Sequence, residues 1–406
     1  MTNTFVIIGG DAAGMSAGSK AKRDDPQLDV IVFEKDQWVS YGACGLPYYV
    51  KGQIQSLDDL VSITPEEFRQ EHDIDLHTDH EVTAIDAEAK TITVENKVDE
   101  VFEQSYDHLL IATGAQAILP DIPGTSLAGV FTLDSLAAGK ELREYLGQLR
   151  SRVAGFEDPR GGDACTYVCT QHPASIAIVG GGFIGVETAE AFDAHDLDVH
   201  LFQRSERVLT DFGEDVARVV ESHLEDRGVM LHLGAAVEQL GEIDNGRLAV
   251  DTDTENVPVD MVLLGAGVRP NTELAVDADI GLGETGAIAT NEYGRTDAEN
   301  IYAAGDCAEI KGVLTGEPVY IPLALTANRH GRAIGQTIVG EPTLVGPVAG
   351  TAALKAFDLE VARTGVIDHE QAREYGLEPV PNMIETAFSV QLWSVKKALL
   401  TGLTRL

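Results

Sequence analysis

Cys44 sits in the run Trp38-Val39-Ser40-Tyr41-Gly42-Ala43-Cys44-Gly45-Leu46-Pro47-Tyr48-Tyr49, among small residues and just before a proline and two tyrosines. A thiol in such a place does redox or nucleophilic work when it is held as the thiolate. No second cysteine lies nearby, because positions 39 and 49 are Val39 and Tyr49. Dithiol chemistry within the run is therefore excluded. Cys44 is expected to pair with an external sulfur or to cycle through a sulfenic acid. The helix expected after Gly14 points its N-terminus at a bound pyrophosphate, and a cysteine delivered there is in a neighbourhood that favours anions.

The other cysteines read differently. Cys165 and Cys169 lie in a stretch from about Glu157 to His172 that is rich in Gly, Asp and Pro, which marks a loop or insertion. Their spacing would suit half of a metal site, but no second ligand pair accompanies them, so no metal is expected. Cys307 reads as core. Four cysteines in 406 residues are too few and too scattered for a disulfide scaffold.

The elements that must position Cys44 begin at the N-terminus. Phe5-Val6-Ile7-Ile8 reads as a buried parallel strand, Gly9-Gly10-Asp11-Ala12-Ala13-Gly14 as a turn into a helix through about Arg23, and Asp29-Val30-Ile31-Val32-Phe33 as the next strand. Glu34 follows, 20 residues beyond Gly14. Strand, glycine turn, helix, strand and acid in that order specify a dinucleotide-binding unit, with the acid on the ribose hydroxyls. Asp11 occupies the usual place of the middle glycine, so its carboxylate is expected to turn away from the phosphates or to reach them through a cation or water. Thr64-Pro65-Glu66-Glu67 opens a helix, with Thr64 as N-cap and Pro65 in the first helical position. Alternating strands follow near 81–85 and 91–94, and Asp107-His108-Leu109-Leu110-Ile111-Ala112-Thr113-Gly114 brings the chain back to the nucleotide.

A second such unit follows. Ser175-Ile176-Ala177-Ile178-Val179 is the strand, Gly180-Gly181-Gly182-Phe183-Ile184-Gly185 the turn, Val186 to about His195 the helix, and Val199-His200-Leu201-Phe202 the next strand. It ends in Gln203-Arg204, with Arg207 beyond, where an acid would favour NAD; a neutral amide and two arginines accommodate a 2'-phosphate, so NADPH is allowed. Two dinucleotide folds in tandem imply one bound cofactor and one transient one. Asn300-Ile301-Tyr302-Ala303-Ala304-Gly305-Asp306 then reads as a strand returning to the first unit, with Asp306 placed for a ribityl hydroxyl, followed by a helix from about Leu325 to Val339.

Composition bounds the partners. Acidic side chains number 66 against 29 basic ones, a net charge of −37. That field repels nucleic acid and anionic membrane surfaces, and no apolar run approaches the ~18 residues of a membrane span. Dispersed along the chain, the acids read as a solvated coat suited to high salt, hence a halophilic source. With no signal peptide at Met1-Thr2-Asn3-Thr4 and few cysteines, the expected location is cytoplasmic.

Ser40 to Tyr49, Thr113-Gly114, Gly180 to Gly185, Gly267-Val268-Arg269-Pro270-Asn271 and Gly305-Asp306 together resemble the flavin-dependent pyridine nucleotide-disulfide oxidoreductases. The resemblance covers about residues 5 to 388 and is to the single-cysteine branch of coenzyme A disulfide reductases, NADH oxidases and NADH peroxidases. It implies an α/β protein with two tandem Rossmann-like domains of the glutathione reductase-like type and a partial α+β interface domain. The FAD-binding domain would be discontinuous, 1–119 and 268–340; the NAD(P)-binding domain 120–267, with the insertion near 157–172; and 341–406 a shortened dimerisation domain of a homodimer.

FAD would contact Gly9, Ala12, Ala13, Gly14, Glu34 and Lys35, with Val82, Thr113, Gly114 and Asp306. NADH or NADPH would use Gly182, Phe183, Ile184, Glu187, Gln203, Arg204 and Gly267. Positions corresponding to coenzyme A contacts look like Ser16, Lys20, Arg23, Ser40 and Asn328. The Leu-Pro-Tyr after Cys44 is most like the coenzyme A disulfide reductases. Ala12 falls where the peroxidases have a histidine, which argues against peroxide. The implied reaction is hydride transfer from NAD(P)H to flavin, then two electrons to a Cys44 mixed disulfide of coenzyme A or a similar thiol. The alternatives are an NAD(P)H oxidase using oxygen and a redox-sensing flavoprotein without useful turnover.

The resemblance ends near residue 389. Ser389 to Leu400 carries no acid, and the family's later strands and partner-subunit tyrosines have no counterpart, so a truncation or frame change is expected there.

Overall fold

Phe5, Val6 and Ile7, Leu109 to Ile111, Ile176 to Ile178 and Met261 to Leu263 are each 0% exposed. Strands with no polar face are covered on both sides, which is the property of parallel sheets between helices. Each run lies at the centre of such a sheet. The computed structural model describes residues 3–153, 174–366, 369–377, 381–386 and 397–403. Cys165, Cys169 and the segment about 157–172 lie outside the described residues. The chain divides into two units. One holds Met1–Gly42, Asp58–Gln116 and Val268–Gly350; the other holds Ala43–Leu57, Ala117–Gly267 and Thr351–Leu406.

In the first unit five parallel strands stand in the order Ile301–Ala303, His108–Ile111, Thr4–Ile8, Asp29–Glu34, Asp75–Thr78. The helix Ala12–Asp24 packs along Ala324–Ile338 through small residues at i, i+4 spacing. A Cβ on Gly331 would stand 2.2 Å from the Ala13 carbonyl oxygen, and one on Gly335 2.5 Å from that of Ala17. Their absence lets the two backbones touch. The sequence places the start of the first helix after Gly14; it starts at Ala12. Thr64 caps Pro65–Glu71 as expected, in a capping box with Glu67. The two expected strands near 81–85 and 91–94 run over His80–Asp86 and Thr91–Asn96 and are joined by a third, Val101–Ser105, that the sequence reading missed.

The second unit repeats this plan. Its parallel sheet has the order Met230–Leu233, Asp198–Gln203, Ser175–Val179, Met261–Leu264, Val130–Phe131. An antiparallel sheet of Val237–Ile243, Arg247–Thr252 and Asn256–Val259 accompanies it. The helix after the second turn is Phe183–Asp193, again earlier than the Val186 start expected. Toward the C-terminus, Ala352–Ala356 and Leu359–Thr364 pair antiparallel. Lys397–Leu403, within the region of altered character, lies between Leu359–Thr364 and Pro381–Thr386 and pairs with both.

Candidate functional site

The first turn is built around a missing side chain. Gly9 has φ +106°, and a Cβ there would stand 2.2 Å from the Ala112 carbonyl oxygen; one on Gly14 would stand 2.0 Å from that of Gly9. Glu34 holds the turn from the neighbouring strand: Gly10 N–H donates to Oε2 at 2.7 Å and Asp36 N–H to Oε1 at 2.9 Å. The helix Ala12–Asp24 has no side-chain cap, which leaves the N–H groups of its first turn to an anionic group of the kind helix N-termini favour. Asp11 turns away. Its Oδ1 accepts the Tyr41 N–H at 3.1 Å.

Charge accumulates behind this turn. Burial, opposed by the Tyr41 N–H and reinforced by the Glu34 and Asp306 carboxylates, pushes Asp11 up to about 7. Burial pushes Asp306 up to about 6 and raises Glu34 as well. Thr113 and Asn271 clamp each other: Thr113 Oγ1–H donates to the Asn271 carbonyl at 2.7 Å and Asn271 Nδ2–H to that of Thr113 at 2.8 Å. Gly114, at φ +68°, accepts the Asn271 N–H at 3.0 Å. Val82 is buried on its strand and Lys35 is exposed.

Of the residues expected to take coenzyme A, Ser16 and Asn328 meet, Ser16 Oγ donating to Asn328 Oδ1 at 2.6 Å. Lys20 is half-buried in an ion pair with Asp24, Nζ to Oδ2 2.6 Å, one turn along the same helix, while Arg23 is exposed. Ser40, at φ +48°, donates its N–H to the Gly10 carbonyl at 3.0 Å. Cys307 is fully buried among apolar residues, its thiol directed at the Ala304 and Ile111 carbonyls, in keeping with a core role.

In the second unit Gly180 has φ +118°, and a Cβ would stand 2.3 Å from the Gly265 carbonyl oxygen. Gly181 N–H donates to Gln203 Oε1 at 3.0 Å, and Phe183–Asp193 is again without a side-chain cap. Gly182 has open space above it, Gly267 lies at φ +101°, and Phe183 and Ile184 are half-buried at the start of the helix. The two arginines differ. Arg204 is exposed, whereas Arg207 is engaged by Glu214 at 3.3 Å and Glu221 at 3.6 Å.

Cys44 lies in the same unit, exposed in a single 3-10 turn, Ala43–Gly45. Leu46–Lys51 continues it as a helix with Pro47 in its first turn, which the proline-containing sequence had not suggested. This helix packs on Phe183–Asp193. Lys51 and Lys355, the latter at 3.3 Å, both pair with the buried Glu190, and the Val50 carbonyl lies 2.7 Å from His195 Nε2. Arg143 donates to the Ile54 carbonyl at 3.0 Å and stands over the Tyr49 ring at 4.4 Å. The cysteine-bearing segment is thus docked on the helix of the second turn. Burial pushes Glu187 up to about 7, against the Lys355 N–H and with help from Glu190; burial and the same two glutamates push Tyr48 up to about 12. Sequence reasoning missed Lys51, Glu190 and Lys355. The one available signal was a pair of acids, Glu187 and Glu190, three residues apart in the otherwise uncharged helical run Val186-Glu187-Thr188-Ala189-Glu190-Ala191-Phe192.

Among the described residues no three His, Cys, Asp or Glu side chains are grouped to hold a metal, and no helix is long and apolar enough to cross a membrane. The NAD(P)H coenzyme A polysulfide/persulfide reductase of Pyrococcus horikoshii is 37% identical over 378 residues, 92% of this chain and 78% of that protein. Reduced CoADR-RHD of Bacillus anthracis superposes with a TM-score of 0.85 at 29% identity, covering 97% of this chain and 67% of that one. The water-forming NADH oxidase of Lactobacillus brevis, solved with NADH bound, superposes with a TM-score of 0.84 at 28% identity, covering 98% and 83%. The family described as pyridine nucleotide-disulphide oxidoreductase matches residues 3–331, and with two glycine turns each held by its own strand-end side chain, the chain belongs to that family.

Proposed function

We propose that this enzyme, an FAD- and NAD(P)H-dependent oxidoreductase, reduces coenzyme A disulfide or a similar small disulfide through Cys44. The observation that carries the reading is Cys44 itself, exposed on a turn whose following helix is fixed to the second nucleotide-binding helix through Lys51 and Glu190. FAD fits the first unit. The Gly9 and Gly14 cradle admits no Cβ, the first helix is uncapped, and Glu34, Thr113, Gly114 and Asp306 surround it as acceptors and close backbone. When bound, FAD accepts the hydride of NAD(P)H and passes its electron pair on. NAD(P)H is assigned to Gly182, Phe183, Ile184, Glu187, Gln203, Arg204 and Gly267 of the second unit.

The Cys44 thiolate attacks one sulfur of the disulfide R–S–S–R; that bond breaks, Cys44–S–S–R forms, and RS⁻ leaves. Two electrons from NAD(P)H cleave the mixed disulfide, release the second RS⁻ and restore the Cys44 thiolate. The balance is NAD(P)H + H⁺ + RSSR → NAD(P)⁺ + 2 RSH. Ser16, Ser40 and Asn328 are assigned to the thiol's polar groups; Lys20, already paired with Asp24, contributes less charge than its sequence position suggests.

Oxygen is the second acceptor considered, since the similar Lactobacillus brevis structure is that of an NADH oxidase. The net charge of −37 supports a halophilic setting, and the cytoplasmic location and the homodimer are assigned from the sequence and the family resemblance, the dimer with an incomplete interface domain. Anaerobic NAD(P)H consumption in high salt, with coenzyme A disulfide and beside Cys44→Ser, is the test. Consumption that needs the disulfide and vanishes in the variant is expected. Consumption only with oxygen, equal in both proteins, would establish the oxidase instead.

A further inference from the structure

Asp11 stands where the second turn has Gly182, and its side chain leaves its own helix. An aspartate preceding a helix ordinarily caps it. Asp11 makes no capping bond and gives Oδ1 to the Tyr41 N–H, 3.1 Å away. Backbone conformation does not account for the difference between the turns. Asp11 has φ −104°, ψ −155° and Gly182 φ −82°, ψ −163°, so both positions accept any residue and only the side chain differs.

The segment that Asp11 holds is already bent toward the turn. Ser40 N–H donates to the Gly10 carbonyl at 3.0 Å with Ser40 at φ +48°, a conformation that costs energy in a non-glycine residue and persists where neighbours impose it. The second unit has the same device, Leu209 at φ +47° donating to the Gly181 carbonyl at 2.8 Å. There Gly182 has no side chain to offer the following residue, Thr210. In the first unit the following residue is Tyr41, and Asp11 takes it.

We propose that Asp11 is a positioning residue for Cys44: its carboxyl group ties Tyr41 to the first nucleotide-binding turn and so sets where the thiol three residues further along the chain is delivered. The proposal rests on the reading of Cys44 as the redox thiol. Three residues of extended chain span at most about 11 Å, so an anchor at Tyr41 bounds the positions Cys44 samples. Gly42 N–H to the Leu60 carbonyl, 2.9 Å, and Ser62 N–H to the Ser40 carbonyl, 2.8 Å, hold the same segment from its other side. The tether survives protonation, because both the carboxylate and the carbonyl oxygen of the neutral acid accept a hydrogen bond.

The test compares wild-type holoprotein with Asp11→Asn, which keeps an acceptor oxygen, and Asp11→Gly, which copies the second turn. Flavin absorbance and thermal melting establish cofactor content and folding. Hydrogen exchange resolved at the Tyr41 amide and the rate of Cys44 alkylation by iodoacetamide then read the tether. Asp11→Asn is expected within twofold of wild type in both. Asp11→Gly is expected to keep its flavin, to exchange Tyr41 at least tenfold faster, and to change the alkylation rate at least threefold. Wild-type values of both in Asp11→Gly would overturn the proposal, whether flavin is kept or lost. Should Asp11→Gly fail to fold, wild type decides alone: a Tyr41 amide exchanging at the rate of unstructured chain overturns the proposal, and one protected like those of Ser40 and Gly42 supports it. Neither readout uses a disulfide substrate, so the tether stands or falls separately from the proposed reaction.

Discussion

The two nucleotide-binding turns can be laid over each other bond by bond. Gly9 N–H donates to the Phe33 carbonyl at 2.9 Å, and Gly180 N–H to that of Phe202 at 2.8 Å. Gly10 finds Glu34 where Gly181 finds Gln203; Ser40 reaches Gly10 where Leu209 reaches Gly181. What differs is side-chain chemistry on a shared backbone. The first turn carries an acid at its strand end, Asp11 in its middle and the Thr113–Asn271 clamp beside it. The second has an amide, Gly182 and Ala266 in those places. The first turn is fastened by more side chains than the second, which keeps only its strand-end amide among these three. That contrast suits a resident dinucleotide in one and an exchanging one in the other.

The largest effects should come from the features the turns share. Gly9→Ala and Gly180→Ala each drive a Cβ into a carbonyl oxygen at positive φ, and each is expected to destabilise its unit by about 2–4 kcal/mol. Gly9→Ala should emerge without flavin. Gly180→Ala should keep its flavin and lose NAD(P)H binding in a fluorescence titration. If both lose flavin alike, the division of labour between the turns is wrong.

The strand-end difference predicts coenzyme preference. Arg204→Ala is expected to lower the ratio of kcat/KM for NADPH to that for NADH by about tenfold, about 1.4 kcal/mol of lost 2'-phosphate recognition. Arg207→Ala, which breaks its pairs with Glu214 and Glu221, should lower the melting temperature and leave that ratio within twofold. Equal effects on the ratio would mean that both arginines face the coenzyme.

Asp11 also predicts a pH dependence. Its pKa is raised from 3.8 to about 7 in the folded protein, so the native state holds a proton that the unfolded chain releases. The stabilisation is complete below about 3.8 and is lost as pH rises through about 7. Measured on apoprotein against Asp11→Asn, wild-type stability should fall across that window by at most about 4 kcal/mol. A flat difference would show that Asp11 titrates normally. Smallest, Thr113→Ala gives the first unit the residue type of the second, and loss of the clamp to Asn271 should cost about 1 kcal/mol in denaturant unfolding, with flavin retained.

Much of this was legible in the order of residues. Apolar runs without alternation named the parallel strands, glycines at fixed offsets named both turns, and Glu34 and Gln203 were read correctly as strand ends. The helix starts were misjudged by about three residues each, because the glycine pattern marks where the backbone must approach a ligand and not where helical hydrogen bonding begins. Val101–Ser105 was missed because Val101-Phe102-Glu103-Gln104-Ser105 is too polar to stand out before its pairing partner is known.

By itself the sequence determined the chemistry available: a cysteine, Cys44, set in a run of small residues ahead of a proline, two dinucleotide turns, an acid at one strand end and an amide at the other. These follow from local backbone geometry, which a few residues settle among themselves. Only the tertiary structure decided how side chains far apart in sequence are spent. Asp11 goes to Tyr41 and Arg207 to two glutamates, while Arg204 stays exposed. Glu190 joins Lys51 and Lys355, 139 and 165 residues away, and fixes the cysteine's helix to that of the second turn. Pairings at that separation cost chain entropy and leave no periodicity in the sequence; they exist because the folded sheets bring the groups within reach.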